Sequence, residues 1–376
     1  MLYRELGRTG IKISQLGFGA MRLPMAGEGE AYHVNRELAV PMMHRAFEGG
    51  VNYIDTATMY GSGDSQRAVG DALKGGWREK VILSTKNPYY GTDEGEWWQH
   101  LEQSLERLQV EYIDIYNHHG INWKNYQDIV EPHMSRWMQK AKAQGLIKHI
   151  CCSFHDNNDG LMHLVESGYP EVITLQYNML DRQLEEGIAL AHARGIGIVV
   201  MGPVAGGTLG ATSPVLTSLV SGISRVPELA LRFVLSNPNV SLALSGMSTM
   251  EQVEENLAVT SDPSPLSTAD KAAIDAHLVN LKKMADLYCS GCGYCLPCPQ
   301  EVTIPKIFSY FNMGRVYGLW DVARSQYDNI GRHPWTKGAK ADACVDCGQC
   351  EEKCPQHLPI RQQLAEALAA LGKSEG

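Results

Sequence analysis

The feature that most constrains this chain is a repeat of short apolar runs and amphipathic stretches, alternating about eight times over roughly the first 260 residues. The runs predict strands at Leu16–Gly19, Val51–Ile54, Lys80–Thr85, Tyr112–Asn117, His149–Ser153, Val172–Gln176, Gly197–Met201 and Val240–Leu244. Several are continuous and β-branched, as parallel strands buried on both faces require. Helical patterns fall between them, at Asn35–Glu48, Glu94–Leu108, Pro132–Ala143 and Pro227–Leu235. Gly49-Gly50 and Gly145 follow as C-caps. Such alternation predicts an α/β chain that closes into a parallel (β/α)8 barrel. A doubly wound dinucleotide fold is the rival, but Gly17-Phe-Gly19 lacks the third glycine of its fingerprint. The opening Tyr3–Ile13 alternates around Arg8-Thr9-Gly10 and predicts a hairpin. A helix over Ser267–Leu287 leads out of the barrel. The expected division is a barrel at 1–265 and a small, mainly helical, cysteine-rich domain at 266–376.

Composition narrows the function classes. The 376 residues are 44% hydrophobic and 20% charged, enough to bury a core and too apolar for a disordered chain. The net charge of −9 argues against nucleic acid as a partner, because that footprint needs a basic face. No apolar run approaches the ~18 residues of a membrane span. The charged start Met1-Leu-Tyr-Arg-Glu-Leu-Gly-Arg8 does not read as a signal peptide, so a cytoplasmic location is expected.

The ten cysteines are unevenly placed. Cys151 and Cys152 lie in a predicted strand, where buried thiols commonly pack. The other eight form two runs, Cys289-x-x-Cys292-x-x-Cys295-x-x-Cys298-Pro299 and Cys344-x-x-Cys347-x-x-Cys350-x-x-x-Cys354-Pro355. The second matches the bacterial ferredoxin run at every position, and the first is one residue short before its fourth cysteine. A zinc site needs only two C-x-x-C pairs, and disulfides do not persist in a reducing compartment. The pattern therefore predicts two 4Fe-4S clusters. In two-cluster ferredoxins the fourth cysteine of each run ligates the other cluster. Cys289, Cys292 and Cys295 then pair with Cys354, and Cys344, Cys347 and Cys350 with Cys298. The long, helical-looking spacer 300–343 resembles helical ferredoxin domains more than the compact β-α-β type.

In barrels of this kind the chemistry sits where strands end. Asp55 ends the second strand and Tyr60 follows in its loop; Lys86 ends the third; His118 and His119 end the fourth. Singly each has a bland reading, as a turn residue, loop packing, a solvated tip or a structural histidine. Together they suit reduction of a carbonyl. A tyrosine near its ordinary pKa of about 10 is a weak acid and base. A nearby ammonium favours the phenolate, a carboxylate fixes that ammonium, and an imidazole hydrogen-bonds the substrate oxygen.

These stretches, Asn52-Tyr-Ile-Asp55-Thr-Ala-x-x-Tyr60-Gly, Ser84-Thr-Lys86 and Tyr112-Ile-Asp-Ile-Tyr-x-x-His119, resemble the signatures of the aldo-keto reductases over roughly residues 1–260. The resemblance implies a nicotinamide-dependent reductase with Asp55, Tyr60, Lys86 and His119 as its catalytic tetrad, His119 rather than His118 holding the family position. It further implies that Ser153 and Gln176 hold the nicotinamide carboxamide. The loop Gly202-Pro203-Val-Ala-Gly-Gly207 would cross the diphosphate. Ser245-Gly246-Met-Ser248, Gln252, Glu255 and Asn256 would hold the adenosine half, with Ser248 able to cap the last barrel helix. Three departures stand out. Phe154 follows Ser153 where many relatives have Asn, Met201 stands where many stack a Tyr, and no Arg or Lys lies near Gln252 to hold a 2′-phosphate. NADP or NAD thus both fit. A branch of the family carries a cysteine-rich tail such as this one.

The combined expectation is an NAD(P)-dependent oxidoreductase acting on a small carbonyl or sugar, or on the corresponding alcohol. Its clusters serve either structure or electron transfer to a redox partner protein. The alternative is a non-catalytic barrel that senses nucleotide or acts as an electron-transfer adaptor. Trp97, Trp98, Trp123 and Tyr89 are aromatic candidates for the barrel mouth.

Overall fold

The computed structural model describes residues 1–28, 31–262, 266–286, 289, 293, 295–332, 336–354 and 357–372, with the backbone alone for 281–286. The described residues form two compact units, 1–206 with 230–265, and 207–229 with 266–376.

In the first unit, strands β1 (Tyr3–Glu5) and β2 (Lys12–Ser14) make the antiparallel hairpin. Strands β4 (Met25–Ala26) and β5 (His33–Val34) make a second small ribbon after β3 (Leu16–Gly19). The remaining strands are β6 (Tyr53–Asp55), β7 (Ile82–Asn87), β8 (Ile113–Ile121), β9 (Ile147–Phe154), β10 (Val172–Gln176), β11 (Gly197–Met201) and β12 (Leu242–Gly246). With β3 they close a barrel in the order β3-β6-β7-β8-β9-β10-β11-β12, every pairing parallel. The register sets Asp55 beside Ser84, Lys86 beside Asn117, Ser153 beside Thr174, and Gln176 beside Met201.

The barrel interior changes character along its axis. Tyr53, Ile115, Cys151 and Val172 join Val199 and Leu242 in a fully buried apolar cluster, which the hairpin closes with Leu6 and Ile13. Successive inward side chains on a strand are two residues apart. Two residues further along the same four strands stand Asp55, Asn117, Ser153 and Thr174. The lower layer therefore holds the barrel together, and the upper layer is polar and buried. Gly7 lets the hairpin close this tightly. It sits at φ +56, and a Cβ there would meet the backbone N of Gly197 at 2.4 Å.

Several strands run further toward the mouth than their apolar runs predict. Asp55 lies inside β6, Lys86 and Asn87 inside β7, and His118 and His119 inside β8. Hydrogen bonding to neighbouring strands continues past the last apolar residue, because the polar side chains there stay out of water: Asp55 and Lys86 pair with each other, Asn87 bonds the Trp97 carbonyl and His118 bonds Tyr169. Helices Arg36–Glu48 and Glu94–Leu108 form as patterned, capped by Asn35 and Asp93. Pro132 lies in a π-helical segment, Tyr126–Met134, and the regular α-helix starts at Ser135. Cys151 and Cys152 are buried in β9, where burial pushes both thiols up and keeps them un-ionised.

The second unit is helical. Helices Ile304–Tyr317, Trp320–Asp328 and Ile360–Leu371 pack around Phe308, Phe311, Tyr327 and Leu364. Gly314 lets the first two approach; a Cβ there would strike the Trp320 ring at 2.3 Å. The segment 207–229 clusters with this unit, although it precedes the last barrel strand in sequence. Ser213 ties it in, its hydroxyl donating to the carbonyl of Tyr317 at 2.7 Å while accepting from the Leu216 N–H at 3.1 Å. Among the described residues no helix is long and apolar enough to cross a membrane.

Candidate active site

Four residues predicted to act together do come together at the barrel's C-terminal end. Lys86 is fully buried, and its ammonium pairs with Asp55 Oδ1, the two side chains being 2% and 3% exposed. It also donates to the Thr56 carbonyl at 2.9 Å. The same ammonium lies 4.8 Å from the centre of the Tyr60 ring. Tyr60 meets His119 edge to face, with ring centres 6.2 Å apart and planes at 85°. The Tyr90 hydroxyl donates to the His119 carbonyl and steadies that segment. His118 takes no part. Alternation along β8 turns it away, and its Nε2 shares a hydrogen bond of 2.9 Å with the Tyr169 hydroxyl.

The electrostatics differ from the expectation that Lys86 brings the phenol down toward working pH. Burial raises the Tyr60 pKa by more than Lys86 lowers it. Lys86 pulls the other way and favours the phenolate, but Asp55 adds to the rise and the net shift is upward. Tyr60 is therefore a protonated phenol at neutral pH. Burial opposes the charge on Lys86, but Asp55 and Tyr60 outweigh it and raise its pKa, so it stays an ammonium. His119 is held down to about 4 by burial, with help from Lys86 and His155, and is a neutral imidazole. The group thus comprises one acid holding its proton, one fixed cation and one neutral donor.

The residues expected to hold a nicotinamide dinucleotide lie at the ends of strands β9, β10 and β12 and in the segments that follow β11 and β12 in the chain. Ser153 is buried at the end of β9, its hydroxyl 3.4 Å from His155 Nε2, and Gln176 ends β10 with its side chain exposed. Met201 stands beside Gln176, half-buried. Pro203 is buried. Gly202 (φ +66) and Gly207 (φ +103) are left-handed, and a Cβ on Gly207 would meet nothing within 4 Å, so the backbone there faces open space. Gly246 lies against the Arg22 side chain, and Asn256 Nδ2 donates to Ser245 Oγ at 3.1 Å. The helix Met250–Ser261 is capped by Thr249, not by Ser248. Ser248 instead donates through its hydroxyl to the Arg22 carbonyl at 2.7 Å, and its N–H donates to Gln252 Oε1 at 2.7 Å. Within the first unit, the left-handed Gly202, the buried Ser153 hydroxyl and the N-terminus of helix Met250–Ser261 are the kinds of group that fit a nicotinamide dinucleotide.

Sequence reasoning missed Arg22. Its guanidinium donates to the Gly206 carbonyl at 2.8 Å, so one residue spans the glycine loop and the Ser248 segment. Nothing in its local sequence marks it; only the closure of β3 against β12 brings it there. Ser84 and Asn117 were missed because both read as ordinary strand residues. Trp97 is not a mouth residue: it is fully buried, packed edge-on to Tyr116 and against Trp137. Trp123 stacks between Tyr126 and His163, Trp98 donates to Glu94 at 3.1 Å, and the Tyr89 hydroxyl accepts from the Asp93 N–H at 2.8 Å.

In the second unit Cys295, Cys298, Cys344, Cys347 and Cys350 line one shallow hollow. Cys354 is buried in the adjoining apolar core, against which Cys289 also packs. Cys292 lies outside the described residues. Among the described residues no two cysteines form a disulfide. Among the described residues no three His, Cys, Asp or Glu side chains are placed to share one metal ion. A mononuclear zinc site needs four ligands within ~2.3 Å of a single ion. In a cubane each thiolate takes a different iron, so spaced thiols around a hollow suit a 4Fe-4S cluster.

The Aldo/keto reductase family model matches residues 15–214, and the 4Fe-4S dicluster domain model matches residues 288–358. L-galactose dehydrogenase of Arabidopsis thaliana is 30% identical over 286 residues, 69% of this chain and 88% of that protein. NADH-specific methylglyoxal reductase of Escherichia coli is 27% identical over 307 residues, 67% of this chain and 91% of that protein. The holo form of an aldo-keto reductase from Bacillus halodurans superposes with a TM-score of 0.64 at 28% identity, covering 73% of this chain and 96% of that one. The closed parallel barrel, the residues gathered at its mouth and these likenesses agree: the chain is an oxidoreductase of the aldo-keto reductase family that carries a C-terminal 4Fe-4S dicluster domain.

Proposed function

We propose that this chain reduces a small carbonyl, an aldehyde, ketone or sugar, or oxidises the matching alcohol, using NADP or NAD. Residues 1–265 are assigned to the reductase domain and 266–376 to a domain holding two 4Fe-4S clusters. The observation that carries this reading is the buried Asp55–Lys86 pair beneath Tyr60, with His119 at right angles to the phenol. A bound nicotinamide supplies the hydride. Tyr60 gives its proton to the carbonyl oxygen, a role for which burial keeps the phenol protonated. Lys86 stabilises the phenolate left behind, and Asp55 keeps Lys86 in place. His119, neutral, donates a hydrogen bond from its ring N–H to the same oxygen and transfers no proton. Ser153, Gln176, Pro203, Gly207, Gly246, Ser248, Gln252 and Asn256 are assigned to the dinucleotide.

Glu251, Glu254 and Glu255 flank Gln252 in the chain with no Arg or Lys among them, and although Arg45 pairs with Glu254, this acidic flank supports NAD over the extra phosphate of NADP. The names of the Arabidopsis and Escherichia coli relatives, a sugar dehydrogenase and an NADH-specific reductase, support both the substrate class and that preference. Cys289, Cys292, Cys295 and Cys354 are assigned to one cluster, and Cys344, Cys347, Cys350 and Cys298 to the other. The last four line one hollow together, which supports the second set, and Cys295 of the first set lines it too. A redox partner protein of a reducing, cytoplasmic compartment fits these clusters. The test is an anaerobic panel of small aldehydes, ketones and sugars on iron-replete protein with each nicotinamide. Turnover with NADH above NADPH is expected, and no turnover with any member would overturn the reading.

A further inference from the structure

Below the tetrad, the barrel carries a buried polar chain that the proposed reaction does not use directly. The Ser84 hydroxyl donates to Asp55 Oδ2 at 2.7 Å. Asn117 Nδ2 donates to Ser84 Oγ and to the Thr85 carbonyl, both at 3.2 Å. The Thr174 hydroxyl stands 3.5 Å from Asn117 Oδ1. All four residues, Ser84, Thr85, Asn117 and Thr174, are fully buried. Such groups cost stability when placed in a core unless each is hydrogen-bonded. The fold does not require them, since Ile115 and Val172, one inward step below Asn117 and Thr174, pack as plain apolar residues.

We propose that Asn117 is a positioning residue that fixes Asp55, and through it Lys86, by orienting the Ser84 hydroxyl. The inference rests on the tetrad reading above. The Thr85 carbonyl only accepts, so it dictates that Asn117 turn its NH₂ toward Ser84. Ser84 Oγ then accepts from Asn117, and its own proton is left to point at Asp55 Oδ2. With Oδ2 occupied, Oδ1 is the oxygen that faces Lys86. Lys86 is held at its other side by the Thr56 carbonyl and lies over Tyr60. Among the described residues the hydrogen bonds of the Asn117 side chain run to Ser84, Thr85 and Thr174, and none reaches Tyr60 or a residue assigned to the dinucleotide.

The test uses Asn117→Leu, which keeps the size and removes both amide functions, together with Ser84→Ala and the double variant in the full, iron-replete protein. Each single change should lower kcat roughly tenfold, the scale of one lost buried hydrogen bond. The Kd of NADH, read from quenching of protein fluorescence, should not move. The double variant should be no slower than Ser84→Ala, because the two act in series. In a Tyr60→Phe background Asn117→Leu should add nothing. A general loosening of the barrel would instead multiply the two losses and persist without the phenol. If Asn117→Leu does not fold, Asn117→Ala is read against the same criteria. Wild-type kcat in the Asn117 variant, or multiplying losses, would overturn the proposal while an inactive Tyr60→Phe left the tetrad standing. Full activity in Tyr60→Phe would sink the tetrad itself.

Discussion

Replacing Asp55 by Asn removes a charge and almost no volume, and the consequence follows from how deeply its partner is buried. The Lys86 side chain is 2% exposed, and besides Asp55 its ammonium meets the Thr56 carbonyl and the Tyr60 phenol, neither of which carries a charge to match it at neutral pH. Leaving one member of a buried ion pair alone costs about 3–5 kcal/mol. The sign of the pH dependence makes the argument specific. In the native protein Asp55 and Tyr60 outweigh burial and raise the Lys86 pKa. That contribution to stability is fully present below the unfolded value of about 10.4, and it is lost as pH rises through the higher folded value. Without Asp55, burial dominates and the folded pKa falls below the unfolded one. Between those two values the unfolded chain binds more protons, so stability rises with pH. Urea unfolding of Asp55→Asn at pH 7 and again near pH 9 should show a large deficit that shrinks at the higher pH. The double variant Asp55→Asn with Lys86→Met should be more stable than Asp55→Asn alone, because no charge is left stranded. A deficit below about 1 kcal/mol that is indifferent to pH would refute the buried pair as described.

Tyr60→Phe should lower turnover by about 10² or more with little change in nicotinamide binding, since only a hydroxyl is lost; stopped-flow reduction and fluorescence titration measure the two. His119, held to about 4, should leave kcat/KM flat from pH 8 to pH 5 and reduce it only as pH falls through that value. Its folded pKa lies below the unfolded value of about 6.5, so it also removes stability as pH falls from there. A kinetic limb between pH 6 and 7 that His119→Gln abolishes would contradict its burial. Glu171 is held at about 2: burial raises it, but His149, the Ile150 N–H and Lys142 lower it further. Its contribution is present above the ordinary carboxylate range and lost as pH falls toward 2, so Glu171→Gln should be less stable at pH 7 and lose less stability on acidification. Anaerobically purified protein should be brown and contain iron and sulfide together; stoichiometric zinc without sulfide would remove the clusters.

Much of this protein is legible from residue order alone. Alternation of runs is a local pattern, and parallel strands joined by helices have few ways to bury their faces, so the barrel follows from it. That Asp55, Tyr60, Lys86 and His119 would meet was readable because three of them fall at the ends of predicted strands and Tyr60 follows one, and strand ends in a barrel share one mouth. Cysteine spacing was equally readable, since the ferredoxin run concerns neighbours in the chain. The tertiary structure decided what depends on distance through space. It set Asn117 beneath Ser84 and brought Arg22 against the glycine loop, contacts that join residues 33 and 184 positions apart. It made Trp97 core, and moved the helix cap from Ser248 to Thr249. It also reversed the expected direction at Tyr60. A sequence shows that a lysine and a tyrosine will meet, but the field each feels depends on how much water is excluded and which charge is already paired. Burial and the Asp55 contact settle that only once the strands have closed.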